Sequence, residues 1–337
     1  MASLSIRGRE DMDMPDGLTA AGVALAIAAL WGVVAVRLGP ALGWVDEPDD
    51  PALKAHNRPA VPLGGVGLFL AVHLAMVVTG RFDIYLLVAS TLVVVIGLVD
   101  DRAGVPPLVR LAVEAVAGLA LGYSAVGDSW IRAGLIAVLV VVAVNSVNLF
   151  DGLDGLAGLS GGVAAVGVAV LALSRGSSAI FGLALAGAVA GFLLWNWHPA
   201  RMFLGDNGAY VLAVFLVYGM VDVSQGVGDL AVAAALFGVF FFDMAATLLR
   251  RAISHQPLFS RDRLHLYDRL TDRGVSIPGV ALLAGAVQAL YLAVVVVVDE
   301  TFSTPVAIIT LLAVALVTVL LLVKALGATQ PGEWHSQ

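Results

Sequence analysis

The chain has no cysteine, so disulfides, thiolate nucleophiles and cysteine-ligated metals are excluded. Charge is scarce as well: Asp, Glu, Lys and Arg together make 13% of residues, against about 25% in soluble domains. With so little charge in the chain, the formal net charge of −7 says little about a soluble partner, and no nucleic-acid partner is expected. A cationic leader with a small-x-small cleavage site is missing too. Residues 1–16 hold Arg7 and Arg9 but also Glu10, Asp11, Asp13 and Asp16. They read as a polar tail, and the apolar run that follows reads as a retained span rather than a signal peptide.

What the chain has in quantity is apolar residues, 60% of the total, with a mean hydropathy of +0.97. They fall in charge-poor runs of about 17 to 22 residues, the length of a helix crossing roughly 30 Å of hydrocarbon. A transmembrane barrel would show shorter, alternating segments. The reading is an all-α, polytopic integral membrane protein with about eleven transmembrane helices, or ten. The runs are near 17–38, 63–80, 83–99, 107–124, 131–147, 157–174, 178–195, 208–222, 229–249, 277–298 and 303–325. Residues 17–325 read as one transmembrane domain between the tail 1–16 and a cytoplasmic tail, 326–337. Alternation puts 39–62, 100–106, 148–156, 196–207 and 250–276 on one face. That face collects Arg37, Lys54, Arg58, Arg102, Arg110, Arg201, the arginines between Arg250 and Arg273, and Lys324, against Arg7, Arg9, Arg81, Arg132 and Arg175 opposite. The positive-inside rule makes the richer face cytoplasmic and places the N-terminus outside.

The same face receives four aspartate-bearing patches. Asp100 and Asp101 end an apolar run, where adjacent carboxylates need a cation or donors between them; a solvated turn is the plainer alternative. Asn145, Asn148, Asp151 and Asp154 repeat a polar group every third residue, either as a helix stripe or, through Gly152 and Gly155, as an opened turn. Asp206 follows Asn196, His198 and Phe203-Leu204-Gly205, and suits a hard cation or a helix N-cap. His265 lies beyond Arg261, Asp262 and Arg263 in a polar loop, where Arg250, Arg251 and Arg273 read as topological charges. Lys54, His56 and Arg58 precede Gly64-Gly65, a combination suited to a pyrophosphate or to anionic lipid. Glu114 and Asp243 fall within spans. Arg110, one turn before Glu114, offers it a structural ion pair as an alternative to a direct role.

Taken in order, these patches resemble the polyprenyl-phosphate N-acetylhexosamine-1-phosphate transferase family, a glycosyltransferase 4 type that includes undecaprenyl-phosphate GlcNAc-1-phosphate transferase and phospho-MurNAc-pentapeptide transferase. The resemblance runs from about Asp46 to Arg269. It rests on Lys54-Ala-His56 with Gly64-Gly65, Asp100-Asp101 with Pro107-Leu-Val-Arg110, Asn145 to Gly155, Gly191 to Ala200 with Phe203-Leu-Gly-Asp206, and Pro257-Leu-Phe259 with Asp262-Arg263-Leu-His265. It implies transfer of a sugar 1-phosphate from a UDP-N-acetylhexosamine to an undecaprenyl-type phosphate with release of UMP, starting a lipid-linked cell-envelope glycan at the plasma membrane.

By the same resemblance, Asp100 and Asp101 look like the carboxylates acting on the lipid phosphate or near the metal, and His265 like a further catalytic group at the phosphates. Asp206, with Asp151, looks like the ligand set for Mg²⁺, with Mn²⁺ as an alternative. Lys54, His56, Asn145, Asn148, Asp151, Asp154, Asn196 and Arg263 resemble substrate-binding positions. A homodimer is compatible with this reading. The chain departs from the family pattern at Leu53, Arg110, Glu114 and His265-Leu-Tyr267-Asp268; the last replaces a histidine-rich ending and argues against a MurNAc-pentapeptide substrate. The rival from another class is a polytopic transporter using Glu114 and Asp243 for coupling ions.

Overall fold

The computed structural model describes residues 2–47, 58–126, 129–224, 230–257 and 264–301. Among them the regular structure is helical, and two isolated β-bridges are the only extended pairing. The α-helices are α1 (Ala2–Leu38), α2 (Gly64–Val78), α3 (Ile84–Ala103), α4 (Pro107–Val126), α5 (Trp130–Phe150), α6 (Leu156–Ser174), α7 (Ile180–Asn196), α8 (Gly205–Val223), α9 (Leu230–Leu236), α10 (Gly238–Ile253), α11 (Leu266–Asp272) and α12 (Ile277–Thr301). Six of them, α1 from Met14 onward, α3, α5, α6, α8 and α12, are long and apolar enough to cross a membrane, and α2 and α7 are shorter apolar helices. The chain is a multi-pass, all-helical membrane protein. The expected span 303–325 and the tail 326–337 lie outside the described residues.

α8 is the hub of the bundle. Its residues Asn207 to Val217 are all buried, and it packs against α3, α5, α2 and α6. Lipid tails are as apolar as the helices, so close backbone approach through small residues holds such a bundle together. α1 against α7 illustrates this: a Cβ on Gly187 or Gly191 would collide with the α1 backbone at Ala21 or Leu25.

One expected span is broken. The run 229–249 divides at Phe237 into α9 and α10. The break leaves backbone groups without intrahelical partners, which in a membrane cost several kcal/mol each unless protein replaces water. Gln288 of α12 supplies that replacement: its Nε2 donates to the carbonyls of Ala235 at 2.6 Å and Leu236 at 3.3 Å, and its Oε1 accepts the Val239 amide at 3.2 Å. The Tyr291 ring packs against the Cα of Gly238, leaving no room for a side chain.

Short loop pairings set one end of the bundle. Val61 and Met202 form a parallel bridge, and Asp46 pairs with Ala60, while the Gly64 amide at the start of α2 donates to the Phe203 carbonyl at 3.0 Å. The loops leading into α2 and α8 are thereby fastened to each other beside the end of α3.

Candidate active site

At that end, a cavity of about 460 Å³ opens between the C-terminus of α3, the α5–α6 loop and the start of α8. Its walls carry Asp46, Asp100, Asp101, Asn148, Asp151, Asp154, Asn196 and Asp206. Three of the four acidic patches therefore meet. The fourth contributes nothing to the cavity walls among the described residues.

The two adjacent aspartates of α3 have different neighbours. Asp101 turns toward α8, whose first turn has amides without intrahelical acceptors. Its Oδ1 accepts the Asp206 amide at 2.8 Å, and its Oδ2 accepts the Asn207 amide at 3.1 Å and Asn207 Nδ2 at 2.6 Å. Asp206 is thus not the N-cap of its own helix; the cap comes from α3, and Asp206 lies in the first turn with its side chain at the cavity wall. Gly205 has φ +72°, and a Cβ there would stand 3.0 Å from an Asp101 oxygen. Asp100 instead accepts the Val105 amide on Oδ1 at 2.8 Å, and on Oδ2 the Tyr210 hydroxyl at 2.7 Å and Arg110 Nη1 at 3.4 Å.

The polar repeat after Asn145 takes the opened-turn alternative. α5 ends at Phe150, and α6 starts only after Gly155, whose φ of +77° is left-handed backbone open to glycine at little cost. Asn196 holds the turn: its Oδ1 accepts the Gly155 amide and its Nδ2 donates to the Met202 carbonyl, both at 3.0 Å. Asp154 Oδ2 pairs with His198 Nδ1 at 2.7 Å and accepts the Ala200 amide at 3.0 Å. Asp151 stays in the cavity wall. Burial first, and then the charges of Asp206, Asp101 and Asp154, push its carboxyl well above the ordinary value of 3.8.

Mutual repulsion of that kind is relieved by a cation. Among the described residues, no three His, Asp or Glu side chains converge into a protein-only cage. Mg²⁺ does not need one: it is commonly held by one or two carboxylates and completed by water and substrate phosphates. Asp206 and Asp151, hard oxygen donors in one cavity wall, fit that requirement.

Other expected site residues lie elsewhere. Asn145 is absent from the cavity walls; its Nδ2 donates to Glu114 Oε2 at 2.7 Å and its Oδ1 accepts Arg110 Nη2 at 3.1 Å. Arg110 Nε lies 3.4 Å from Glu114 Oε1, which realises the ion-pair alternative. His265, read as a group at the phosphates, is 5% exposed and its Nδ1 is 2.7 Å from Asp243 Oδ2. Its link toward the end of α5 runs through Tyr267, whose ring stacks on it and whose hydroxyl donates to the Leu149 carbonyl at 3.0 Å. Arg251, read as a topological charge, is buried at 2% exposure. Gly64-Gly65, read together with the basic groups before it as suited to a pyrophosphate or to anionic lipid, packs against protein: a Cβ at Gly65 would strike Asn207, and one at Gly64 would strike Phe192 and Phe203. Lys54, His56 and Arg263 lie outside the described residues.

Residues 84–224 match the sequence model of glycosyl transferase family 4. That stretch of the chain is similar to glycosyl transferase family 4. Its relatives extend further along the chain. A probable undecaprenyl-phosphate N-acetylglucosaminyl 1-phosphate transferase of Bacillus subtilis (strain 168) is 27% identical over 264 residues, 71% of this chain and 73% of that protein. A decaprenyl-phosphate N-acetylglucosaminephosphotransferase of Mycobacterium leprae is 29% identical over 319 residues, 79% of each chain. An undecaprenyl-phosphate alpha-N-acetylglucosaminyl 1-phosphate transferase of Thermotoga maritima is 29% identical over 225 residues, 66% of this chain and 72% of that protein.

The family 4 region contains every acid of the cavity wall except Asp46. It also contains two polar residues that sequence reasoning passed over, Asn207 and Tyr210. Tyr210 is four residues beyond Asp206, on the same face of α8. That spacing was the available signal.

Proposed function

We propose that the protein transfers an N-acetylhexosamine 1-phosphate from a UDP-sugar to a polyprenyl phosphate of the undecaprenyl type and releases UMP. The observation that carries this reading is the meeting of three sequence-distant acidic motifs in one cavity at one end of a membrane-spanning bundle. A water-soluble nucleotide donor and a lipid-borne acceptor can meet at such a place. The arginine bias puts this end at the cytoplasmic face of the plasma membrane, with eleven spans and the N-terminus outside.

In the reaction, an oxygen of the lipid phosphate attacks the sugar-bearing phosphorus of the donor. The bond from that phosphorus to the bridging oxygen breaks, and UMP departs with that oxygen. Catalysis of this type is mainly positioning and charge stabilisation. Mg²⁺, when bound, would neutralise the diphosphate and the departing UMP. Asp206 and Asp151 would hold it. Asp100 faces the attacking phosphate, and the 148–155 turn with Asn196 shapes the donor's side of the cavity.

Purified protein in detergent, given polyprenyl phosphate, Mg²⁺ and a panel of UDP-sugars, is expected to release UMP with at least one N-acetylhexosamine donor. Asp100→Asn is expected to stop that release. No UMP from any donor refutes the assignment. The transporter alternative is not favoured: both intramembrane carboxylates have protein partners, Glu114 with Arg110 and Asn145 and Asp243 with His265.

A further inference from the structure

We infer that Tyr210 is a positioning residue for the reaction: its hydroxyl ties the Asp100 carboxylate of α3 to the helix that carries Asp206, fixing the two acids relative to each other across the cavity. This inference rests on the transferase reading above.

Tyr210 is fully buried on α8, and its hydroxyl donates to Asp100 Oδ2 at 2.7 Å. A tyrosine ring pivots on only two side-chain torsions, so a packed phenol delivers its hydroxyl to nearly one point. Tyr210 follows Asp206 by four residues, one helical turn, so the phenol and the acid are displaced together by any movement of α8. Asp100 belongs to α3, where the Val105 amide holds its other oxygen, and the Tyr210 hydroxyl links it to α8.

The surroundings brace this contact. Arg110 Nη1 donates to the Tyr210 oxygen at 3.3 Å and to Asp100 Oδ2 at 3.4 Å. The same guanidinium is fastened by Asn145 Oδ1 at 3.1 Å and by Glu114, and Glu114 accepts in turn from Asn145. Two side chains, Tyr210 of α8 and Arg110 of α4, thus meet at one oxygen of a cavity acid, and Asn145 and Glu114 hold the second of them in place. Asn145 and Glu114 take no part in the cavity walls; their side chains bond Arg110 and each other. Among the described residues the other Asp100 oxygen accepts the Val105 amide alone, leaving lone-pair capacity toward the cavity.

α8 contains an internal control. Tyr218, two turns further along, donates its hydroxyl to Asp83 Oδ2 at 3.2 Å, the same chemistry at the far end of the helix with no cavity acid involved. The experiment compares Tyr210→Phe and Tyr218→Phe in the full chain, in detergent, with undecaprenyl phosphate, Mg²⁺ and the UDP-sugar of the panel that gives the most UMP, reading kcat, both KM values and the unfolding temperature. A hydrogen bond to a charged group fixes position strongly enough that its loss is expected to lower kcat about ten-fold or more. The expected result is that fall in Tyr210→Phe, with both KM values within about two-fold of wild type, and an unchanged kcat in Tyr218→Phe. Wild-type kcat in Tyr210→Phe, or an equal fall in both variants, overturns the inference. So does a loss that resides entirely in KM. If Tyr210→Phe fails to fold, Arg110→Lys, which keeps the charge but not the fork, takes its place: a fall in kcat without a rise in KM supports the inference and an unchanged kcat overturns it. A wild-type protein that releases no UMP with any donor of the panel refutes the transferase reading itself and this inference with it.

Discussion

Asp101, in the last turn of α3, caps α8: its Oδ1 accepts the Asp206 amide at 2.8 Å and its Oδ2 accepts the Asn207 amide at 3.1 Å. A cap usually comes from the residue preceding the helix. Supplied from another helix, it fixes where α8 begins with respect to α3, and so where Asp206 meets the cavity.

Asp101→Asn tests that relationship. The substitution replaces one acceptor by an amide that faces the donors of Asn207. Loss of a cap costs about 0.5–2 kcal/mol, and a buried group left unpaired costs about 1–3 kcal/mol. The expected outcome is a lower unfolding temperature in detergent and a higher Mg²⁺ concentration for half-maximal UMP release. Wild-type values of both would mean that Asp101 does not hold α8.

Asp206→Asn separates a metal ligand from a structural acid. Its side chain lies in the cavity wall beside Asp151, and each carboxylate charge disfavours the other. Removing the Asp206 charge is therefore expected to abolish Mn²⁺ binding and metal-dependent UMP release while leaving the metal-free protein no less stable. Retained Mn²⁺ affinity by titration would remove Asp206 from the metal site.

The helices and the meeting of Asp100, Asp151 and Asp206 were legible because runs of lipid-crossing length alternate sides, which puts the acid motifs at one end. Side-chain direction was not legible. Asp100 and Asp101 are adjacent in the chain and occupy one turn of α3, yet one points along the cavity and the other into the start of α8, a division made by helix packing rather than by local sequence. His265 sits among arginines in the chain, which suggested phosphate contact; its pairing with Asp243, 22 residues earlier, depends on α10 folding back beside α11. The break between α9 and α10 had no polar marker in its own segment, because the groups that compensate it belong to Gln288, about fifty residues away.

Gln288→Leu tests that compensation. Two carbonyls and one amide would lose a partner in a setting that water does not reach. At about 1–3 kcal/mol for each buried group left unpaired, the variant is expected to be destabilised by several kcal/mol and to unfold at a clearly lower temperature in detergent. An unfolding temperature equal to that of wild type would show that α9 and α10 hold their break without α12.

Asp151 supplies a pH dependence whose sign follows from its surroundings. Its carboxyl is raised above the ordinary 3.8, by burial first and then by Asp206, Asp101 and Asp154, so the folded protein holds this proton more tightly than the unfolded chain does. Stability from that source is complete below 3.8 and is lost as pH rises through the raised value. Metal-free protein in chelator is therefore expected to unfold at progressively lower temperature as pH rises over that window. Asp206→Asn removes the largest of the neighbouring charges acting on Asp151, so its metal-free protein is expected to show a shallower decline over the same range. A divalent cation competes with the bound proton, so in the wild type Mg²⁺ affinity is expected to climb with pH and proton release on binding to appear in calorimetry across buffers of different ionisation enthalpy. Equal pH slopes in wild type and Asp206→Asn would show that the two carboxylates do not share one electrostatic site.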